Sequence, residues 1–134
     1  QSWGARRAPG GPWSWPLVHA WARAAQYLTE IGLEEIWART TALAGRLKDG
    51  LADIEGAELY TPRAPERSAA LVSFGLAGWT GDELSRVFRE EWNTVVKALP
   101  HGREGLRASI VFFLHETEID RLLDALRVLA ARRR

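Results

Sequence analysis

The stretch LRASIVFFL, residues 106–114, is the clearest secondary-structure signal in the chain. Two sets of residues alternate along it, and this period of two predicts a β-strand. The first set is wholly apolar and consists of Leu106, Ala108, Ile110, Phe112 and Leu114. The second set begins with Arg107 and Ser109 and then becomes apolar as well. Two interpretations of Arg107 are open: a solvated strand end, or a guanidinium group that binds a carboxylate through two hydrogen bonds.

The pattern outside this strand predicts four helices and three further strands. The first helix begins at Pro16 and stops at Gly32, the second ends at Gly56, the third runs from the Thr80–Glu83 capping box to about Glu91, and the fourth follows residue 114. The other predicted strands are 57–61, 69–76 and 94–98. This order predicts an α+β domain, with a small, mainly antiparallel sheet and helices packed on one face.

Apolar residues at helical spacing predict the side of each helix that is buried. The first helix presents Leu17, Trp21, Ala24, Ala25, Leu28 and Ile31, and the second Ile36, Leu43, Leu47, Leu51 and Ile54. The third presents Leu84, Val87 and Phe88, and the fourth Ile119, Leu122, Leu123, Leu126 and Leu129.

Residues 1–15 form a separate segment in this interpretation, an N-terminal arm that precedes a domain of residues 16–134. The arm has no periodic pattern, and it contains three of the seven tryptophans together with several glycines and prolines. Tryptophan carries a large apolar area, so we expect the arm to pack against the chain's own core or against a partner.

Composition excludes several classes of function. A net charge of +1 gives no global attraction to nucleic acid, and no apolar run is long enough to span a bilayer or act as a signal peptide, so we expect a cytoplasmic protein. The chain has no Cys, and its three His lack metal-ligand spacing, so we expect neither a thiolate nor a metal site. It also has no Met, from which we expect that it begins inside a longer product or has been processed or trimmed.

Two segments carry a resemblance to a known family. Residues 24–32, AAQYLTEIG, precede Ile36 and Arg39, and the strand segment LRAS, 106–109, precedes a Phe pair and then EIDRL, 118–122. This order resembles class V aminotransferases, the pyridoxal-phosphate enzymes that include cysteine desulfurases, selenocysteine lyases and isopenicillin-epimerase-like proteins. The resemblance covers residues 16–130 and implies a C-terminal small domain, about the last third of a complete enzyme.

The resemblance also implies roles for particular residues. It makes Arg107 the group that grips the substrate α-carboxylate. Ser109 is expected to orient Arg107 or to satisfy the strand, since no His/Asp pattern around it predicts a nucleophile. It puts His101 either facing the cofactor pocket or simply in a loop. Residues 4–7 align with a segment that reaches a neighbouring subunit's cofactor phosphate, where Arg6 or Arg7 would supply the charge.

The catalytic lysine of the family has no counterpart in the sequence. The only lysines are Lys48, expected on the polar side of the second helix, and Lys97, near a strand end. Neither matches the lysine that forms the Schiff base, so we expect the chain to need a large pyridoxal-phosphate domain or subunit for catalysis. Without Cys a persulfide step cannot run through this domain, which favours lyase-, epimerase- or aminotransferase-like members.

Three functions are therefore compatible with the sequence. The first is a part of a pyridoxal-phosphate enzyme that acts on an amino acid and binds its carboxylate. The second is a stand-alone module that binds a small carboxylate or a protein. The third is a structural domain that forms homodimers by exchanging its arm.

Overall fold

A computed structural model describes residues 14–100 and 102–132. Residues Gln1–Leu33 and Glu34–Arg134 form two compact units. In the first unit, α1 spans Trp15–Ile31, with Pro16 in its first turn, and none of its residues is buried. Gly32 ends it with a φ of 101°, as predicted. The predicted arm, 1–15, falls outside the described residues except for its last two.

The second unit confirms the predicted α+β class. It contains α2 (Leu33–Ala52), β1 (Ala57–Leu59), β2 (Leu71–Leu76), α3 (Gly81–Trp92), β3 (Lys97–Ala98), β4 (Leu106–Ser109) and α4 (Glu116–Arg132), with a short 3-10 turn at Pro65–Arg67. The strands form one sheet in the order β1-β2-β4-β3, and every neighbouring pair is antiparallel.

The core lies between one face of the sheet and helices α2, α3 and α4. The sheet contributes Val72, Phe74, Leu76, Leu106 and Ala108, all less than 5% exposed. The predicted buried positions of α2, α3 and α4 are confirmed, except that Ile36 stays partly exposed. Alternate residues of β2 and β4 point away from the core to the second face of the sheet, here called the open face, where Leu71 and Ser109 are exposed.

The predicted strands exist but are shorter than expected. The strand that opens at Leu106 ends at Ser109 instead of residue 114. The Ile110 amide still bonds to the Ala70 carbonyl at 2.7 Å, but β2 does not extend that far, and the chain then turns so that the Leu114 amide bonds to the Val111 carbonyl. A strand needs a neighbour for its backbone groups, and beyond residue 110 none is available.

The strand predicted at 94–98 is reduced to Lys97–Ala98. Asn93 ends α3 in the left-handed conformation, with a φ of 48°, and the Ser85 hydroxyl donates to the Val96 carbonyl at 2.8 Å. That carbonyl is therefore occupied by a helix side chain instead of a neighbouring strand. The other two predicted strands are each two residues shorter than expected. The strand predicted at 57–61 ends at Leu59, and the strand predicted at 69–76 begins at Leu71.

The prediction that Lys48 lies on the polar side of α2 is wrong. Lys48 is only 3% exposed, and its ammonium group donates to the Ser68 hydroxyl and, at 3.5 Å, to the Arg63 carbonyl. The loop between β1 and β2 folds over this side of the helix, and it supplies acceptors that a helical pattern by itself does not reveal.

Backbone contacts between elements are very close at Gly105, which precedes β4. Its φ is 142°, and a Cβ there would lie 2.4 Å from the Phe74 carbonyl oxygen of β2. A Cβ on Gly81, at the start of α3, would in turn lie 2.4 Å from the Gly105 oxygen. The sheet and α3 therefore approach to a distance that only glycine permits at these positions.

Charged side chains connect the helices on the outside of the core. Arg46 of α2 forms a two-bond pair with Asp120 of α4 at 2.7 and 2.8 Å, and Arg39 pairs with Glu116. The hydrogen bond from Arg39 lowers the pKa of Glu116 to about 2. The hydrogen bond from Arg46 likewise lowers the pKa of Asp120.

Replacing Gly105 with alanine is expected to destabilise the protein. The added Cβ would collide with the Phe74 carbonyl oxygen, and the φ of 142° is a backbone conformation that strains any residue with a side chain. We expect the free energy of unfolding to fall by about 1–3 kcal/mol or more. Gly45, inside α2, has no atom within 4 Å of the position that an alanine Cβ would occupy, so Gly45→Ala is the matched control. It should stabilise by about 0.5–1 kcal/mol because alanine favours helix. Urea unfolding measures both, and an unchanged Gly105→Ala midpoint would contradict the close approach.

Acid should weaken the packing of α4 on α2. The pKa of Glu116 is about 4.5 when unperturbed and about 2 in the fold, so its ion pair contributes fully above about pH 4.5. That contribution is lost as the pH falls towards 2. The free energy of unfolding, measured between pH 6 and pH 2, should fall less steeply in Arg39→Gln/Arg46→Gln than in the parent chain. Arg89→Gln, which removes an exposed charge from α3, should retain the parent slope.

Candidate functional site

Three polar residues form one row across the open face of the sheet. Arg107 on β4 is the register partner of Ser73 on β2 and of Lys97 on β3. Residues directly opposite each other in antiparallel strands point to the same face, with Cβ atoms about 4.5–5.5 Å apart. The row Ser73–Arg107–Lys97 therefore puts a hydroxyl, a guanidinium and an ammonium group side by side.

Arg107 has unused hydrogen-bonding capacity. Its side chain is half-buried, and the Nε atom is buried with no hydrogen-bond partner among residues 14–100 and 102–132. No acidic residue in that part of the chain pairs with Arg107 or with Lys97. A buried donor without an acceptor is unfavourable, and a carboxylate bound to the other N–H groups of the half-buried guanidinium would offset part of that cost.

Tyr60 covers the neighbouring part of the open face. A Cβ on Gly75 would lie 2.2 Å from the Tyr60 hydroxyl oxygen, so the ring rests on a place where the strand has no side chain. The Tyr60 hydroxyl donates to the Glu104 carbonyl at 2.9 Å, and the Arg103 guanidinium lies 4.3 Å from the ring centre. Burial, with a smaller effect from Glu58, raises the pKa of Tyr60. Tyr60 is thus a neutral hydrogen-bond donor at physiological pH.

The backbone of β1 bends beside this ring. The amides of Tyr60 and Thr61 both donate to the Ser73 carbonyl, at 2.9 and 3.3 Å. Two residues facing one is the pattern of a β-bulge, a feature that often lies next to binding sites and redirects side chains. The Thr61 hydroxyl accepts the Ser73 amide at 2.8 Å, which leaves the Ser73 side chain on the open face.

An open cavity of about 480 Å³ adjoins the row at Ser73. Its walls come from the bulge, the segment after β3 and the loop before β4, namely Tyr60, Thr61, Pro62, Ser73, Leu99, Pro100 and Arg103. The lining is mainly apolar with a few polar groups, which is typical of small-molecule sites. A ligand carboxylate at Arg107 would have space on this side for the rest of the molecule.

The structure brings only part of the predicted site together. Ser109 lies on the same face as Arg107 but two residues further along β4, roughly 7 Å away, and no hydrogen bond joins their side chains in the described chain. Ser109 lines a different cavity, of about 300 Å³, beside the start of α4. His101, Arg6 and Arg7 lie outside the described residues, so their roles stay predictions.

Sequence reasoning missed Ser73 and Tyr60. Ser73 had a usable signal, because it is the polar residue between the buried Val72 and Phe74 in a strand of period two. Tyr60 gave none, since its position depends on the bulge and on the contact with Gly75. The sequence does not indicate that Lys97 lies next to Arg107, because that pairing follows only from the sheet register.

Covalent attachment of pyridoxal phosphate needs an accessible lysine amine, and the two lysines differ in this respect. The Lys48 ammonium is buried and bonded to Ser68, whereas Lys97 is exposed on the edge strand. No group of His, Asp and Glu within residues 14–100 and 102–132 is arranged to hold a metal ion. No helix in that part of the chain is long and apolar enough to cross a membrane.

The sequence of the chain is similar to those of known enzymes. The chain is 30% identical to a cysteine desulfurase of Haloferax volcanii and 38% identical to an isopenicillin N epimerase of Streptomyces clavuligerus, over 78% and 75% of its length. It spans only 26% of each of these proteins.

A solved structure shares the fold. The apo cysteine desulfurase of Thermococcus onnurineus NA1 superposes with a TM-score of 0.73 and 24% identity, over 80% of this chain and 29% of that one. The profile of the family described as Aminotransferase class-V matches residues 9–122. The chain therefore belongs to the class V aminotransferase family.

Proposed function

We propose that this chain supplies the small-domain portion of a pyridoxal-phosphate enzyme that acts on an amino acid. In this proposal residues 16–134 are the small domain and residues 1–15 are an arm that precedes it. The observation that carries the proposal is the guanidinium group of Arg107, which lies on an open sheet face with its Nε unpaired. The family membership supports the same assignment.

Arg107 would bind the α-carboxylate of the substrate. A guanidinium group offers parallel N–H donors that match the two carboxylate oxygens, and such charged, two-bond contacts are stronger than neutral ones. Ser73 lies next to it and provides a hydroxyl group on the same face. With the carboxylate held, the rest of the amino acid is restricted in orientation, which lowers the entropic cost of reaction.

The reactive chemistry would come from a larger domain or subunit. Pyridoxal phosphate, bound there, supplies an electron sink for the amino acid, and the lysine that holds it is absent from this chain. The length relation supports this division, since the chain spans about a quarter of its curated relatives. Without Cys the chain provides no persulfide carrier, which favours a lyase-, epimerase- or aminotransferase-like reaction.

The assembled enzyme in this proposal is a cytoplasmic dimer. Arg6 and Arg7 would lie near the cofactor phosphate of the second subunit, and His101 would be on the substrate side, as the family resemblance implies. Ser109 would then act at the edge of the site, since it is on the open face but is not bonded to Arg107.

A stand-alone module for small carboxylates is the second candidate. The observation in its favour is that Arg107 and the cavity of about 480 Å³ both exist in this chain without a partner. The two functions differ in what binding requires. A module binds a carboxylate firmly by itself, whereas a small domain gains most of its affinity after the larger domain closes over the substrate.

Arg107→Ala is expected to weaken carboxylate binding roughly 10- to 100-fold, since charged hydrogen bonds are lost. Arg107→Lys should recover only part of the affinity, because lysine keeps the charge without the planar arrangement of donors. Titration of the ¹⁵N-labelled chain with L-alanine, followed by NMR at the Arg107 Nε–H and along β4, measures both. Arg89→Gln controls for the loss of one positive charge, and equal affinity in Arg107→Ala and the parent would rule out this site.

The chain alone should not retain pyridoxal phosphate at Lys48. We expect incubation with the cofactor, borohydride reduction and peptide mass spectrometry to show modification at the exposed Lys97 and none at Lys48, whose amine is buried. Lys48 should become reactive once the chain is unfolded in urea, which serves as the positive control. Efficient modification of Lys48 in the folded chain would contradict the proposal that the lysine that holds the cofactor belongs to a larger domain or subunit.

A further inference from the structure

The pairing of Lys97 with Arg107 has a physical cost that nothing in the described chain offsets. The two cations are direct register partners on one face of the sheet. Like charges opposite each other in antiparallel strands destabilise the pair. An anion between them would remove the repulsion and gain an interaction with each.

The acidic residues of β1 and of the loop before β4 are poorly placed to be that anion. By register, the acidic side chain of β1 on the open face is Glu58, which is opposite Gly75. Two strand spacings, about 9–10 Å, separate β1 from β4, and the Tyr60 ring covers Gly75 on that side. Glu104 is engaged elsewhere, because its carboxylate accepts the Gly81 amide at 2.8 Å.

The two cations differ in what they recognise. The guanidinium group of Arg107 matches a planar carboxylate, and its buried Nε lacks an acceptor. Lys97 is exposed and has a flexible stem, so its ammonium group acts as a mobile point charge. A ligand that satisfies both has one carboxylate fixed at Arg107 and a second anionic group a few bonds away.

We propose that this face of the sheet selects amino acids with an acidic side chain, the α-carboxylate binding to Arg107 and the side-chain carboxylate to Lys97. The proposal rests on the proposed function for the Arg107 contact and adds the substrate class. Lysine on an edge strand also discourages pairing with other sheets, and that role alone would give no preference among ligands. Ligand preference therefore separates the two roles of Lys97.

The test compares ligands of equal shape and different charge. The chain is titrated with L-aspartate against L-asparagine and L-glutamate against L-glutamine, with NMR shifts along β3 and β4 as the measurement. We expect at least one acidic amino acid to bind about fivefold more tightly than its amide, which is the upper range for an exposed ion pair. Added salt should reduce this ratio because the Lys97 contact is exposed to solvent.

Variants assign the preference to Lys97. Lys97→Gln should bring the acid-to-amide ratio to about one and leave the affinity for the amide unchanged, whereas Lys97→Arg should preserve the ratio. Arg89→Gln removes the same charge from an exposed position on α3 and should leave the ratio as in the parent.

The outcomes distinguish this proposal from the one it rests on. Equal affinity for acid and amide, with binding that still depends on Arg107, would overturn the selectivity and leave the carboxylate site intact. A preference that persists in Lys97→Gln would also overturn it. Binding that is unaffected by Arg107→Ala would overturn both proposals together.

Discussion

The antiparallel pairing of β2 with β4 is the constraint on which the second unit depends. Each strand buries every second residue, so one register fixes both the core and the composition of the opposite face. Phe74 pairs with Leu106 on the core side, and Ser73 pairs with Arg107 on the open side. A one-residue slip of β4 would bury the guanidinium, and a one-residue slip of β2 would expose Phe74. The core therefore holds the candidate site in place, and stability and binding depend on the same register.

Close backbone contacts at two glycines and ion pairs between two helices both support this register. Gly105 lets β4 begin in contact with the Phe74 carbonyl, and Gly81 lets α3 begin against Gly105. On the outside, Arg39 and Arg46 of α2 bind carboxylates of α4. Exposed pairs of this kind contribute little energy each, so they orient α4 on a fold that apolar burial stabilises. Arg107 therefore lies on a strand whose start is held by close backbone contacts at Gly105 and whose other face packs against the core.

The sequence predicted the parts of the fold that local periodicity determines, and it was less accurate where a distant partner decides. The helices, the capping box at Thr80 and the antiparallel sheet follow from spacing and from turn residues. The end of β4 at Ser109 does not, because it is set by where β2 begins. The burial of Lys48 depends on a loop that returns about 15–20 residues later, with Arg63 and Ser68 as acceptors. In the site, Arg107 was identifiable from its strand and the family resemblance, whereas the row it forms with Ser73 and Lys97 requires the register.

The two lysines differ in how available their amines are. Lys48 has its hydrogen bonds satisfied inside the protein, and a nucleophilic role would require breaking them and exposing the amine to a ligand. Lys97 is accessible, but its neighbour is a cation that attracts anions to the same place. A carboxylate held between Arg107 and Lys97 would form an ion pair with the Lys97 ammonium, so in the proposed site this lysine recognises charge.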